Sequence, residues 1–158
     1  MSDAVSVSVA KGVVTHLVAQ NLSIEPKRSY ADWELALEDQ DVLHVDVVAH
    51  ATEQEIDQEA RGGKLFYLIP LFIAVRKRFG SIDQEDREGR VNIDEIDKLV
   101  LLTQNIHESM TQKRLTDFNE GVWQATRTLV VADPKSLQNN RQFLSVIRST
   151  FRVTKSIA

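Results

Sequence analysis

"RQFLSVIRSTFRV", residues 141–153, alternates with the two-residue period of a β-strand. Phe143, Ile147, Phe151 and Val153 fall on one side with Ser145 and Ser149 between them. Gln142, Arg148, Thr150 and Arg152 fall on the other side with Leu144 and Val146. A strand at the surface of a monomer keeps its second side plainly polar. Here that side is half apolar and half basic, which predicts a sheet completed by a neighbouring subunit.

Upstream, "KLFYLIPLFIAVRKRFG" (64–80) reads as a second long strand with apolar groups on both faces. Phe66, Leu68 and Phe72 oppose Tyr67, Ile69, Leu71, Ile73 and Val75, so both faces need cover. Pro70 has no amide hydrogen and marks an edge position or a bulge. "VLHVDVVAH" (42–50) is a strand with Leu43, Val45, Val47 and Ala49 against His44 and Asp46, and "VWQATRTLVVA" (122–132) is another. "DPKSLQNN" (133–140) reads as a turn leading into the last strand.

The best-marked helix is "NIDEIDKLVLLTQNIHESM" (92–110). Asn92 can cap it with Glu95 three residues later, and Asp94 and Asp97 suit the positive end of its dipole. Ile96, Leu99, Val100, Thr103, Ile106, His107 and Met110 form its inward stripe. The N-terminal segment 3–22 fits both a strand and a helix. A helix is preferred, because Val5, Val9, Val13 and Leu17 recur every fourth residue, joined by Ala10, Val14 and Val18, for longer than a strand usually runs. Ser2 or Asp3 can cap it. In the connector 23–41, Pro26 interrupts, Arg28 and Tyr30 pair briefly, and Asp32 caps a turn holding Trp33, Leu35 and Leu37. Segments 51–63 and 81–90 are acidic, glycine-closed loops, the first with one helical turn at most. The expected fold is α+β: an antiparallel sheet of four strands or slightly more, with two main helices on one face.

A chain of 158 residues fits a single domain (1–158) that buries roughly 70% of its unfolded surface. The absence of cysteine excludes a disulfide framework and thiolate catalysis. A net charge of −4 argues against duplex nucleic acid as a main ligand, since phosphate binding needs a dense cationic surface. The first residues lack the basic start and apolar run of a secretory signal. "LFYLIPLFIAV", 11 residues long, is too short for a membrane-spanning helix. These features predict a protein of the cytoplasm, or of a particle assembled there.

Chemistry-bearing patterns are sparse. His44, Asp46 and His50 make a conceivable metal grouping, outweighed by the reading of a solvated strand face. His16 and His107 lie in or beside helical apolar stripes and read as satisfied core histidines. There is no GxSxG, and neither "RGGK" nor "FGS" matches a phosphate loop. The acids Glu53 and Glu55, and Asp83, Glu85 and Asp86, read as solvated loop charge. No catalytic residue, cofactor or metal is expected. Arg76, Lys77 and Arg78, with Arg148 and Arg152, form the basic features. They fit either strand ends protected from stray pairing or a cationic surface for an acidic partner, including the acidic loops of an identical subunit arranged head-to-tail.

The order of an N-terminal helix, "HVDVVAH", an acidic loop ending in Arg61, "FYLIPLFIAVRKR" and "IDEIDKLVLLTQNIHESM" resembles tail terminator proteins of long-tailed bacteriophages. The end, "DPKSLQNNRQFLSVIRSTFRV", is similar to the RxFxSxIxxxF type of last strand in that group, through Phe143, Ser145 and Ile147. The resemblance spans nearly the whole chain as element order, without a single diagnostic motif. It implies a virion subunit that forms a ring, typically a hexamer. Such a ring caps the tail tube of major tail protein and joins it to a head-side connector or stopper protein. DNA passes through without specific binding. On this reading Arg61, Arg76, Lys77, Arg78, Arg148, Arg152, Phe66 and Phe72 are interface candidates. Glu53, Glu55, Asp57, Glu59, Asp83, Glu85, Asp86 and Glu88 are candidates for the lumen or its rims, where negative charge keeps a duplex sliding. The alternatives are a minor tail or neck protein of the same particle, a small cytoplasmic ligand-binding module, and, more distantly, an enzyme with a His44/Asp46/His50 metal.

Overall fold

A computed structural model describes residues 3–49, 63–80, 93–111 and 121–156, together with the backbone of 55–58. The elements run α1 (Val5–Ala19), β1 (Pro26–Ser29), β2 (Leu43–Ala49), β3 (Glu55–Gln58), β4 (Lys64–Arg78), α2 (Ile93–Ser109), β5 (Val122–Val130), α3 (Pro134–Asn140) and β6 (Gln142–Ser156). Six strands form one sheet in the order β1-β2-β4-β6-β5, with β3 also pairing β4. All pairings are antiparallel except β1 with β2. The α+β class stands, with a larger sheet than four strands and with a parallel edge.

The spine of the sheet is β4 with β6, paired residue for residue from Lys64↔Ser156 to Arg78↔Gln142. Because β6 occupies one edge of β4 throughout, β2 and β3 share the other edge, β2 opposite Leu71 to Lys77 and β3 opposite Leu65 to Leu68. Pro70 therefore sits in an inner strand and not at a sheet edge. It lies at the level where β2 has ended and β3 has not begun, and a residue without an amide hydrogen is tolerated at such an interruption.

Odd-numbered residues of β2, β4 and β6 share one face, and that face carries the helices. Val45, Val47, Ile69, Leu71, Ile73, Val75, Phe143, Ile147 and Phe151 form one core with Val9, Val13 and Leu17 of α1 and Leu99 and Ile106 of α2, joined by Met110. Each large side chain sealed here contributes about 1.5–3 kcal/mol. The two serines that interrupt the apolar side of β6 are also explained. Ser145 donates to the carbonyl of Val131, and Ser149 joins a network beside β5. There Trp123 Nε1 donates to Thr126 Oγ1 at 2.7 Å, and the Thr126 hydroxyl donates to the Met110 carbonyl at 3.0 Å. The single hydroxyl proton of Thr126 being spent, Ser149 donates across the 2.7 Å contact between the two hydroxyls.

His16 is 0% exposed, and its Nε2–H donates to the Ser109 carbonyl at 2.8 Å, tying α1 to the end of α2. Burial holds this imidazole below its ordinary pKa, partly offset by that hydrogen bond. Below about pH 6.5 the unfolded chain then binds a proton that the folded one refuses, so stability falls as pH drops from there toward the lower folded-state value. Urea midpoints at pH 7.5 and 5.5 are expected to show this loss, and His16→Gln, which keeps a donor, is expected to shrink it.

Several local expectations are corrected. The N-cap of α1 is Ala4, with no side-chain cap; Asp3 instead pairs with Lys11 at 2.6 Å, while Ser2 lies outside the described residues. Val18, placed on the inward side, is exposed because the helix turns His16 and Leu17 into the core instead. Residues 55–58 form β3, so the segment 51–63 is not all loop: pairing with β4 supplies hydrogen bonds that its acidic composition did not announce. Arg28 lies in β1, whose partner is β2, while Tyr30 lies just beyond it. "DPKSLQNN" is a helix rather than a turn: Asp133 caps Lys135 N at 3.1 Å, Pro134 takes the first turn, and Arg141 ends it in the left-handed conformation at φ 51°.

Candidate interaction surface

Even-numbered residues of β4 and β6 form the second face, and the register orders it into rows. From one end these are Phe66–Thr154, Leu68–Arg152–Val122, Pro70–Thr150–Ala125 and Phe72–Arg148–Arg127, with the third member supplied by β5. Ala74–Val146–Val130, Arg76–Leu144 and Arg78–Gln142 follow. No helix of the core cluster lies on this face, and its two halves are treated differently.

The half from Ala74 to Gln142 is met by the chain's own connector, residues 30–42. Gln142, fully buried, accepts from Leu37 N at 2.7 Å and donates to the Leu35 carbonyl at 3.5 Å. Arg78 donates to the Leu37 carbonyl at 2.7 Å, and Arg76 to that of Leu35 at 3.4 Å. Asp32 holds the turn as expected, accepting from Glu34 N at 2.9 Å. The connector's end is pinned too: Asp41 N donates to the Arg78 carbonyl at 2.7 Å, and Gly80 N donates to the Asp41 carboxylate at 3.1 Å. That carboxylate would lie 2.7 Å from a Cβ at position 80, so a side chain there would require Asp41 to shift. Leu144, Val146 and Ala74, in the same half, are buried. Trp33 stacks on Phe72 with ring centroids 5.1 Å apart and marks the boundary of the covered half.

Beyond Phe72 no described element covers the second face. Phe66, Leu68 and Pro70 are half-buried, Arg148, Arg152 and Arg127 are exposed, and Val122 is 59% exposed. The Arg152 guanidinium lies 4.2 Å from the centre of the Phe66 ring, a cation–π contact worth about 0.5–1 kcal/mol at such a site. Arg127 and Arg148 stand directly opposite each other, an unfavourable like-charge pair. None of these three arginines makes an ion pair among the described residues. The surface on which the sequence pattern led to the expectation of a neighbouring subunit is thus confined, among the described residues, to the half bearing Phe66, Arg148 and Arg152.

Arg76, Lys77 and Arg78 are committed within the chain. Arg76, 6% exposed, forms a 2.6 Å ion pair with Asp46. Lys77 points to the helix face, where it pairs with Glu95 of α2. Sequence reasoning grouped Arg76, Lys77 and Arg78 as one patch, whereas alternation sends Lys77 to the opposite side. Phe72 is half-buried under Trp33. Arg61, Glu53, Glu59, Asp83, Glu85, Asp86 and Glu88 lie outside the described residues. Glu55 and Asp57 are placed by backbone alone, on β3 opposite Leu68 and Phe66.

The histidine–aspartate grouping does not come together as a metal centre. His44 meets Asp39 at 2.8 Å, Asp46 is taken by Arg76, and His50 lies outside the described residues. Among the described residues no cluster of three His, Cys, Asp or Glu side chains forms a metal-binding group. His107 borders a cleft of about 390 Å³ between α2 and β5, where its Nδ1 meets Thr128 Oγ1 at 2.7 Å. Val100, Thr103, Gln104, Glu108 and Val131 complete its wall. No helix among the described residues is long and apolar enough to cross a membrane. No protein-family model matches this sequence, and no curated protein is a significant match.

Proposed function

We propose that this chain is a structural virion subunit that assembles as a ring. The ring, six copies in the arrangement the resemblance implies, caps a phage tail tube and joins it to the head-side connector or stopper. One observation carries the reading: half of the second sheet face presents aligned apolar residues and three arginines with no ion-pair partner among the described residues. A layer of that kind gains most by being covered, and the chain's own connector stops at Phe72. Self-association also suits a protein whose surplus charge is negative, since the arginine-bearing half and the acidic remainder attract between copies. A minor tail or neck protein of the same particle would use the same surface against a different neighbour.

Native mass spectrometry over a range of concentrations is the direct test. The expected species is six times the 17.9 kDa chain, seen as rings by negative-stain microscopy, either free or seated on one end of tubes of major tail protein. A protein that stays monomeric at every concentration and never appears on tube ends overturns the proposal.

A further inference from the structure

We propose that the open half of the sheet is covered by the outward side of α2 from a second copy, so that each subunit supplies the missing layer of the next. The inference rests on the ring reading and names its contact. It starts from a match between two surfaces that both lack a partner among the described residues.

On α2 the residues turned away from the core include Asp94, Asp97, Leu101, Gln104 and Glu108, spaced three and four apart along one stripe. Leu101 is 54% exposed, and Ile93 at the start of the helix is 52% exposed. A helix with two large apolar groups facing out, flanked by carboxylates, has the chemistry to lie on a sheet that is apolar with arginines beside it. On that sheet Leu68 and Val122 flank Arg152 in one row, and Arg148 with Arg127 forms another. Asp94 and Asp97 make no ion pair among the described residues, and neither do the three arginines. Docking would place carboxylates over the like-charged Arg127 and Arg148 pair and relieve its repulsion.

Topology then sets the symmetry. The helix stripe and the open half-sheet are on opposite faces of the same sheet. A two-fold pair would have to make the contact twice, which surfaces on opposite faces prevent, and a pair joined by one such contact leaves one stripe and one half-sheet unused. The contact is therefore heterologous, and it continues from copy to copy until rotation closes it into a ring. The finished unit is a sheet with helices on both faces, the inner layer native to the subunit and the outer one borrowed.

A charge exchange tests this on the full chain. Arg148→Glu/Arg152→Glu and Asp94→Arg/Asp97→Arg each place like charges across the contact. Each is expected to weaken assembly at least tenfold in midpoint concentration, with urea midpoints confirming that both variants remain folded. Mixed in equal amounts, the two should reassemble, because every contact in an alternating ring again joins opposite charges. Native mass spectrometry should then show equal numbers of each variant. If the wild type forms rings and either variant does so equally well, or the mixture fails to recover, the contact is wrong while the ring survives. A wild type that never assembles removes both. An oligothymidylate bound by the wild type and released by Arg148→Glu/Arg152→Glu, with rings intact, would assign the arginines to single-stranded nucleic acid instead and overturn the contact.

Discussion

Asp46→Ala is expected to destabilise the fold by about 3–5 kcal/mol, the range for removing one member of a buried ion pair. Asp46 meets Arg76 at 2.6 Å where both side chains are nearly sealed, and Arg76 Nε already lacks a partner. Without the carboxylate, the guanidinium keeps only a 3.4 Å contact with the Leu35 carbonyl. The loss should appear in the urea midpoint with little change in slope, because native area is hardly altered. A double replacement, Asp46→Leu with Arg76→Met, removes both charges and is expected to recover most of the difference. A single Asp46→Ala variant within about 1 kcal/mol of the wild type would mean that the pair is solvated rather than buried.

Phe151→Ala should cost a comparable amount, about 3–5 kcal/mol. Phe151 is fully buried between Ile69 of β4 and Trp123 of β5, at the level where the Trp123–Thr126–Ser149 network joins β5 to β6 and, through the Met110 carbonyl, to the segment just after α2. Its neighbour Arg152 gives the contrast. One residue along the strand, it is exposed on the other face, and Arg152→Ala should cost no more than about 1 kcal/mol, the cation–π contact with Phe66 included. Thermal and urea denaturation of the two variants together measure how unequal the faces of β6 are. Similar losses from both would contradict the facing deduced from the register.

That inequality was legible from residues 141–153 alone, because strand alternation is rigidly two-residue and the core is built from the odd positions. The stripe of α2 was legible for the same kind of reason, and so was the turn at Asp32. What could not be read were facts of register. Asp46 and Arg76 are thirty residues apart, and nothing local shows that β2 and β4 align to bring them together. Arg76 therefore looked like part of a surface patch. Likewise β3 has only Ile56 as an apolar residue, so its strand character comes from β4 rather than from its own propensity. α3 is a different case: Asp133 followed by Pro134 is a helix-start signature, and the turn residues around it masked the signal. The open surface was half legible. The sequence pattern placed Arg148 and Arg152 with apolar neighbours on one side of β6. It did not reveal that the connector, fastened through Gln142 and Arg78, would shelter the remainder.

The central position of β6 has a consequence during synthesis. β4 emerges from the ribosome early, yet its partner along all fifteen residues is made only after α2, β5 and α3. At about 5–20 residues per second, that interval lasts several seconds. Throughout it, the strand LFYLIPLFIAV has β2 and β3 on one edge and an unsatisfied backbone on the other. The nascent chain must therefore keep its most apolar segment from pairing with a neighbouring copy until residues 142–156 arrive, and soluble yield should rise when fewer copies are synthesised at once or holding chaperones are abundant.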